Sequence, residues 1–234
     1  MLLMDCILGA VAWHSVRSVV LCSNVSSVGS FKDAFLLRYD IERNKDERNI
    51  YHSRIGLVHA SAMVVASAAV MLRASPSWTY QIWNHGTIVV RDTTLTHYLL
   101  VSAISYFISD SIVLFDFPQY KYHHAIAIAL IRVTLVNPST QGGALCFFGG
   151  TEIGAVMLNV YSLNRRLPAY TVFIVSYFLS RVALGVLVWL GRTTIPLSMN
   201  ALCWSVIVQN MYFLSIHAAK FPRKLREYRL SIED

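Results

Sequence analysis

KYHHAIAIALIRVTLVNPSTQGGALCFFGGTEIGAVMLN, residues 121–159, is apolar enough for lipid along most of its length, yet it carries His123, His124 and Glu152. Ionisable side chains are expensive at bilayer depth, about 2.5 to 3.5 kcal/mol each on insertion scales, so they mark function by default. Asn137-Pro138 stops the first half of the stretch, because proline lacks an amide hydrogen and disfavours helix in the residue before it. The first half is short for a span and contains Arg132, which predicts a tilted or half-buried helix leaning on its neighbours.

The rest of the chain has the same character. It is 55% hydrophobic and 14% charged, with a mean hydropathy of +0.49. Soluble domains carry about 25% charged residues, and a soluble core of this size could not absorb the apolar excess. The formal charge is +7, but Lys and Arg gather at the ends of apolar runs and form no stripe interleaved with aromatics. That pattern reads as topology signal and lipid-headgroup contact, not as nucleic-acid binding. Cys6, Cys22, Cys146 and Cys203 show no CxxC spacing, so neither a disulfide framework nor a zinc site follows. There is no internal repeat, GxGxxG, P-loop or GxSxG motif, and a single HH pair falls short of the several histidine boxes of membrane di-metal enzymes. No metal and no cofactor is expected.

Working outward, apolar segments fall at about 1–22, 55–72, 95–115, 122–136, 142–160, 169–191 and 197–217. Since about 20 helical residues cross a bilayer core, the expected fold is all-α: a polytopic transmembrane bundle of about seven spans. It divides into an N-terminal membrane anchor and loop (1–45), a membrane domain (46–222) and a basic tail (223–234). The first segment holds His14 and Arg17; it lacks the basic start and small-residue cleavage pattern of a signal peptide, which favours a retained anchor. Phe31, Phe35 and Tyr39 could lay a short helix on headgroups or belong to a plain linker. Trp78, Tyr80 and Trp83 read as interfacial aromatics.

Basic residues favour the loop after the first segment, Lys121, Arg165-Arg166 and the tail, while Arg73, Arg91, Arg132 and Arg192 lie on the other side. The positive-inside rule then puts the C-terminus in the cytosol and leaves the Asn24-Val25-Ser26 sequon unglycosylated. With that topology His59, Asp110, His123, His124, Glu152, Asn159 and Asn210 share the cytosolic half of the bundle, Glu152 roughly 12 Å below its edge. A cytosol-facing polar pocket accounts for such sharing. Arg181 lies midway along the sixth segment, too far from either end to snorkel with ease, so a structural ion pair with a buried carboxylate such as Glu152 is expected.

These motifs in this order resemble the TLC-domain family of polytopic lipid-handling membrane proteins, which includes the ceramide synthases. The resemblance covers about residues 46–222. It rests on His59-Ala60, SYFISD ending at Asp110, His123-His124, Thr151-Glu152 with Leu158-Asn159, FLSR ending at Arg181, and QNMYF around Asn210. The synthase signature looks like HHxxTxxLIxxSW followed by an HDxSD-type motif. This chain keeps His123, His124, Leu130 and Ile131, but has Thr151-Glu152 and Ala155 in place of the acidic motif. That departure is similar to the non-synthase branch, whose members are tied to phospholipid acyl composition, membrane fluidity and traffic through the endoplasmic reticulum.

The resemblance implies lipid metabolism or homeostasis, with His59, Asn159 and Asn210 as lipid-binding positions. Membrane lipids are the implied partners, with acyl-CoA as a candidate substrate and a homo- or hetero-oligomer left open. The implied location is the endoplasmic reticulum, with the plasma membrane as the other choice. Under the ceramide synthase alternative, a sphingoid amine must lose a proton before it attacks a thioester, which suits His123 or His124, with Asp110 or Glu152 orienting the imidazole. The competing reading makes all four a hydrogen-bonded network that locks helices together.

Overall fold

The computed structural model describes residues 5, 6, 8–10, 12, 13, 45–73, 93–113, 118–186 and 197–233. Most of the first apolar segment, the 31–39 stretch, the Asn24 sequon and the aromatics at 78–83 lie outside them. Every element among the described residues is helical: α1 (Lys45–Arg73), α2 (Thr93–Val113), α3 (Pro118–Leu135), α4 (Pro138–Asn164), α5 (Leu167–Tyr177) running into a π-helical turn (Phe178–Ala183), α6 (Leu197–Ala218) and α7 (Phe221–Glu233).

Side-chain placement is that of a bundle in lipid. Val65, Leu72, Val172, Val175, Leu179, Val208 and Met211 are exposed, whereas His59, Asp110, His124, Glu152, Arg181 and Asn210 are buried. Water would penalise both choices; hydrocarbon outside the bundle favours both. Four stretches among the described residues, His52–Arg73, Gln141–Asn164, Leu167–Val186 and Asn200–Leu230, are long and apolar enough to cross a membrane. The chain is a membrane protein with an all-α helical bundle. Of the seven expected segments, four meet the length and composition standard; the first lies mostly outside the described residues, and α2 and α3 are diluted by inward polar residues such as Ser105, Asp110 and His124. These two helices complete the bundle by packing on each other, with α2 also on α1 and α4, and α3 on α4 and α6.

Boundaries follow local chemistry. Asn137-Pro138 breaks α3 from α4: the Asn137 amide turns back to the Val133 carbonyl at 2.7 Å and Pro138 opens α4. α4 ends on Arg165 in the left-handed region (φ 53°), whose N–H closes on Tyr161 O. Arg166 is extended and Pro168 stands in the first turn of α5, giving a two-residue reversal tipped by two arginines. α1 starts at Lys45, ten residues before the apolar segment, because the polar KDERNIYHSR end can stay helical outside hydrocarbon. His59 consequently sits in the middle of α1 and not at its start.

α1 and α4 run antiparallel in the most extensive contact of the bundle. Gly56 faces Asn159, and Gly149 faces Ser67 so closely that a Cβ there would stand 2.3 Å from Ser67 Cβ. Such small-residue seams let backbones approach where lipid offers no hydrophobic drive. α5 and α6 are antiparallel too, tied by Tyr170 donating to the His217 carbonyl and Tyr177 to Asn210. Tyr161, Tyr170, Phe173 and Phe213 with His217 form an aromatic cluster at that end, on which Phe221 stacks.

These pairings bring the starts of α1, α3 and α5 and the ends of α2, α4 and α6 to one end of the bundle. Lys45, Arg48, Arg54, Lys121, Arg165, Arg166 and the tail's basic residues gather there, against Arg73 and Arg132 at the other end. The tail is not a plain extension. It forms α7, in which Phe221, Leu225 and Tyr228 recur at helical spacing on one side and Arg223 and Arg226 on the other.

Candidate functional site

At the level of Glu152 the helices part around a narrow crevice of about 20 Å³, lined by Phe107 of α2, His123 and Ala127 of α3, Phe147, Phe148, Thr151 and Glu152 of α4, Arg181 of the π turn, and Val206 and Asn210 of α6. One pole is polar and the walls are apolar.

The π turn builds the polar pole. Within it the N–H of Leu184 bonds to Leu179 O, one residue farther back than in an α-helix. Ser180, Arg181 and Val182 are all buried in this wider turn. Arg181 Nη2 lies 3.6 Å from Glu152 Oε1, its Nε donates to Thr151 O at 3.0 Å, and the guanidinium sits 5.1 Å from the Tyr177 ring centroid. Thr151 O can take this bond because a carbonyl has two lone pairs. Opposite charges, a carbonyl and an aromatic face together offset the desolvation of an arginine that is 8% exposed.

The two adjacent histidines diverge, as a 100° step requires. His124 turns to α2: its Nε2 is 3.5 Å from Asp110 Oδ2 and its Nδ1 is 3.0 Å from Ser111 Oγ. His123 turns into the crevice, with the Gln209 side chain within hydrogen-bonding reach and Phe107 edge-on at 6.3 Å. Asn210, from the facing helix, accepts the Tyr177 hydroxyl on Oδ1 at 2.7 Å.

Of the residues singled out in the sequence, His123, Glu152, Arg181 and Asn210 meet at the crevice. Asp110 stands behind it, holding His124. His59 and Asn159 lie elsewhere. His59 stacks on Tyr106 with ring centroids 3.6 Å apart and meets Trp13 edge-on at 5.2 Å. Asn159 occupies the α1–α4 seam, its amide bonded to Ala155 O at 2.9 Å. Sequence reasoning passed over Tyr177 and Ser111, and quoted Gln209 in QNMYF without giving it a role. Tyr177 had a signal, an aromatic four residues before a membrane arginine; Ser111 had none beyond polarity in an apolar run. Among the described residues no group of three His, Cys, Asp or Glu side chains is arranged to hold a metal ion.

Comparison with protein families returns one described as the TLC domain, matching residues 52–219, which is most of the chain. Comparison with curated proteins and with solved structures returns no significant match.

Proposed function

Because the chain belongs to the TLC-domain family, which places it in membrane lipid biology, we propose that it holds a lipid acyl chain in the crevice and through it influences the acyl composition of the membrane. The observation that carries this reading is the lining of the crevice: apolar walls from Phe107, Ala127, Phe147, Phe148 and Val206 suit a hydrocarbon chain once the helices part to admit it, and a polar pole at His123, Glu152, Arg181 and Asn210 suits a headgroup or carbonyl. The basic end, with its arginine-tipped reversal and tail, faces the cytosol by the positive-inside rule, and the endoplasmic reticulum is the proposed site of action. No bound cofactor is required.

A second reading, sphingoid-base N-acyltransfer, is favoured by the division of labour between the histidines. His124 is committed to Asp110 and Ser111, while His123 lies on the crevice. In that reaction the free amine attacks the thioester carbonyl of acyl-CoA, the N–C bond forms and the C–S bond breaks, and His123 takes the amine proton and returns it to the departing thiolate, so that CoA leaves as thiol.

Lipidomics of cells lacking the protein tests both. Altered phospholipid acyl chains support the lipid-handling reading, altered ceramides support acyltransfer, and an unchanged lipidome overturns both.

A further inference from the structure

Asn210 is 2% exposed and lines the crevice, with Oδ1 taken by the Tyr177 hydroxyl at 2.7 Å. That bond fixes the amide. A phenol inside the bundle must place its O–H on an acceptor, Oδ1 is that acceptor, and the amide nitrogen is the polar atom left for Asn210 to present to the crevice. Nδ2 is buried without a hydrogen-bond partner among the described residues. An unmet buried amide donor is costly, and each one asks what it is for.

Two acceptors of the crevice already serve Arg181: Glu152, and Thr151 O through Nε. An oxygen brought in from outside would complete Asn210 Nδ2. Charge narrows its type. Arg181 is balanced by Glu152, so the pole offers no net positive charge to a free carboxylate, and Glu152 repels one. A neutral oxygen on a hydrocarbon chain fits both the pole and the apolar walls.

We propose that Asn210 Nδ2 donates to the carbonyl oxygen of an acyl group, so that the crevice selects esterified or otherwise neutral acyl lipids over ethers and over free fatty acids. This rests on the reading of the crevice as a lipid site and deepens it by naming the ligand class and the residue that recognises it.

The test measures displacement of a photoactivatable acyl probe from the purified full chain in detergent by three competitors of one chain length: monooleoylglycerol, its oleyl ether analogue lacking the carbonyl, and oleate. Wild-type protein is expected to prefer the ester to the ether by about three- to tenfold, the range of one net hydrogen bond, and to bind oleate weakest. Asn210→Leu should bring the ester down to the ether's affinity. Equal affinity for ester and ether, a preference that survives Asn210→Leu, or tighter binding of oleate overturns the assignment while leaving the crevice a lipid site. Failure of every lipid to bind wild-type protein overturns the lipid site itself and this assignment with it. Should Asn210→Leu not fold, the ester-to-ether ratio on wild-type protein decides.

Discussion

Arg181 Nη2 stands 3.6 Å from Glu152 Oε1 with both side chains about nine-tenths buried, and it reaches there from a π turn that also sends its Nε to the backbone of Thr151. The two contacts join the end of α5 to α4 at the depth where the crevice opens. A pair so buried contributes little compared with apolar residues of the same shape, but removing one member strands the other. Arg181→Ala is therefore expected to destabilise the bundle by about 3 to 5 kcal/mol, seen as lower folded yield and earlier thermal unfolding in detergent before any lipid readout changes. Arg181→Met with Glu152→Leu should recover much of that loss. Normal stability of Arg181→Ala would show that the pair holds nothing together.

The histidines should part company under mutation. His124 is paired with Asp110 and Ser111, so His124→Ala removes a buried contact to each and is expected to cost about 1 to 3 kcal/mol of stability. His123 points into the crevice, so His123→Ala should keep normal abundance and thermal stability while losing the lipid effect. Complementation of a deletion with each variant, alongside unfolding curves, checks both. Full complementation by His123→Ala removes the functional case for the crevice.

The seam between α1 and α4 gives a packing test independent of the site. A methyl group on Gly149 would stand 2.3 Å from Ser67 Cβ, and both positions are side-chain contacts between rigid helices. Gly149→Ala is expected to destabilise by about 1 to 3 kcal/mol, the usual range for overpacking, with no loss of polar chemistry. Ser67→Gly in the same chain should restore much of the stability by vacating the space. If Gly149→Ala is neutral, the helices do not approach as closely as described.

Much of this arrangement was legible in the sequence for one physical reason: lipid inverts the cost of polarity, so any ionisable residue within an apolar run stands out. His123, Glu152, Arg181 and Asn210 were visible on that ground alone. Asn137-Pro138 likewise marks the α3–α4 break, since proline acts locally. What was hidden depends on geometry that composition does not carry. The π turn leaves no mark in FLSR, yet it is the turn from which Arg181 reaches Glu152 and the Thr151 carbonyl. Depth along a helix was readable but facing was not, which is why His59 and Asn159, at plausible depths, sit outside the crevice. The amphipathic tail helix was missed because its apolar positions are spread among six charges that dilute the local hydropathy.

Orientation is the last expectation to test. The described helices gather Lys45, Arg48, Arg54, Lys121, Arg165, Arg166 and the basic tail at one end, and the positive-inside rule counts such residues within about 15 to 20 positions of the spans. That end should face the cytosol. A glycosylation sequon appended after Asp234 should then remain unmodified, and so should the native Asn24-Val25-Ser26, which lies in the chain between the first apolar segment and the basic stretch. A sequon inserted between Arg73 and Thr93, at the opposite end, should be glycosylated. The readout is a shift in gel mobility that an endoglycosidase reverses. A glycan on the appended site with none on the inserted one inverts the bundle and removes the cytosolic route by which acyl-CoA would reach His123. A glycan on Asn24 alone would leave the bundle in place and instead move the N-terminal segment to the other side.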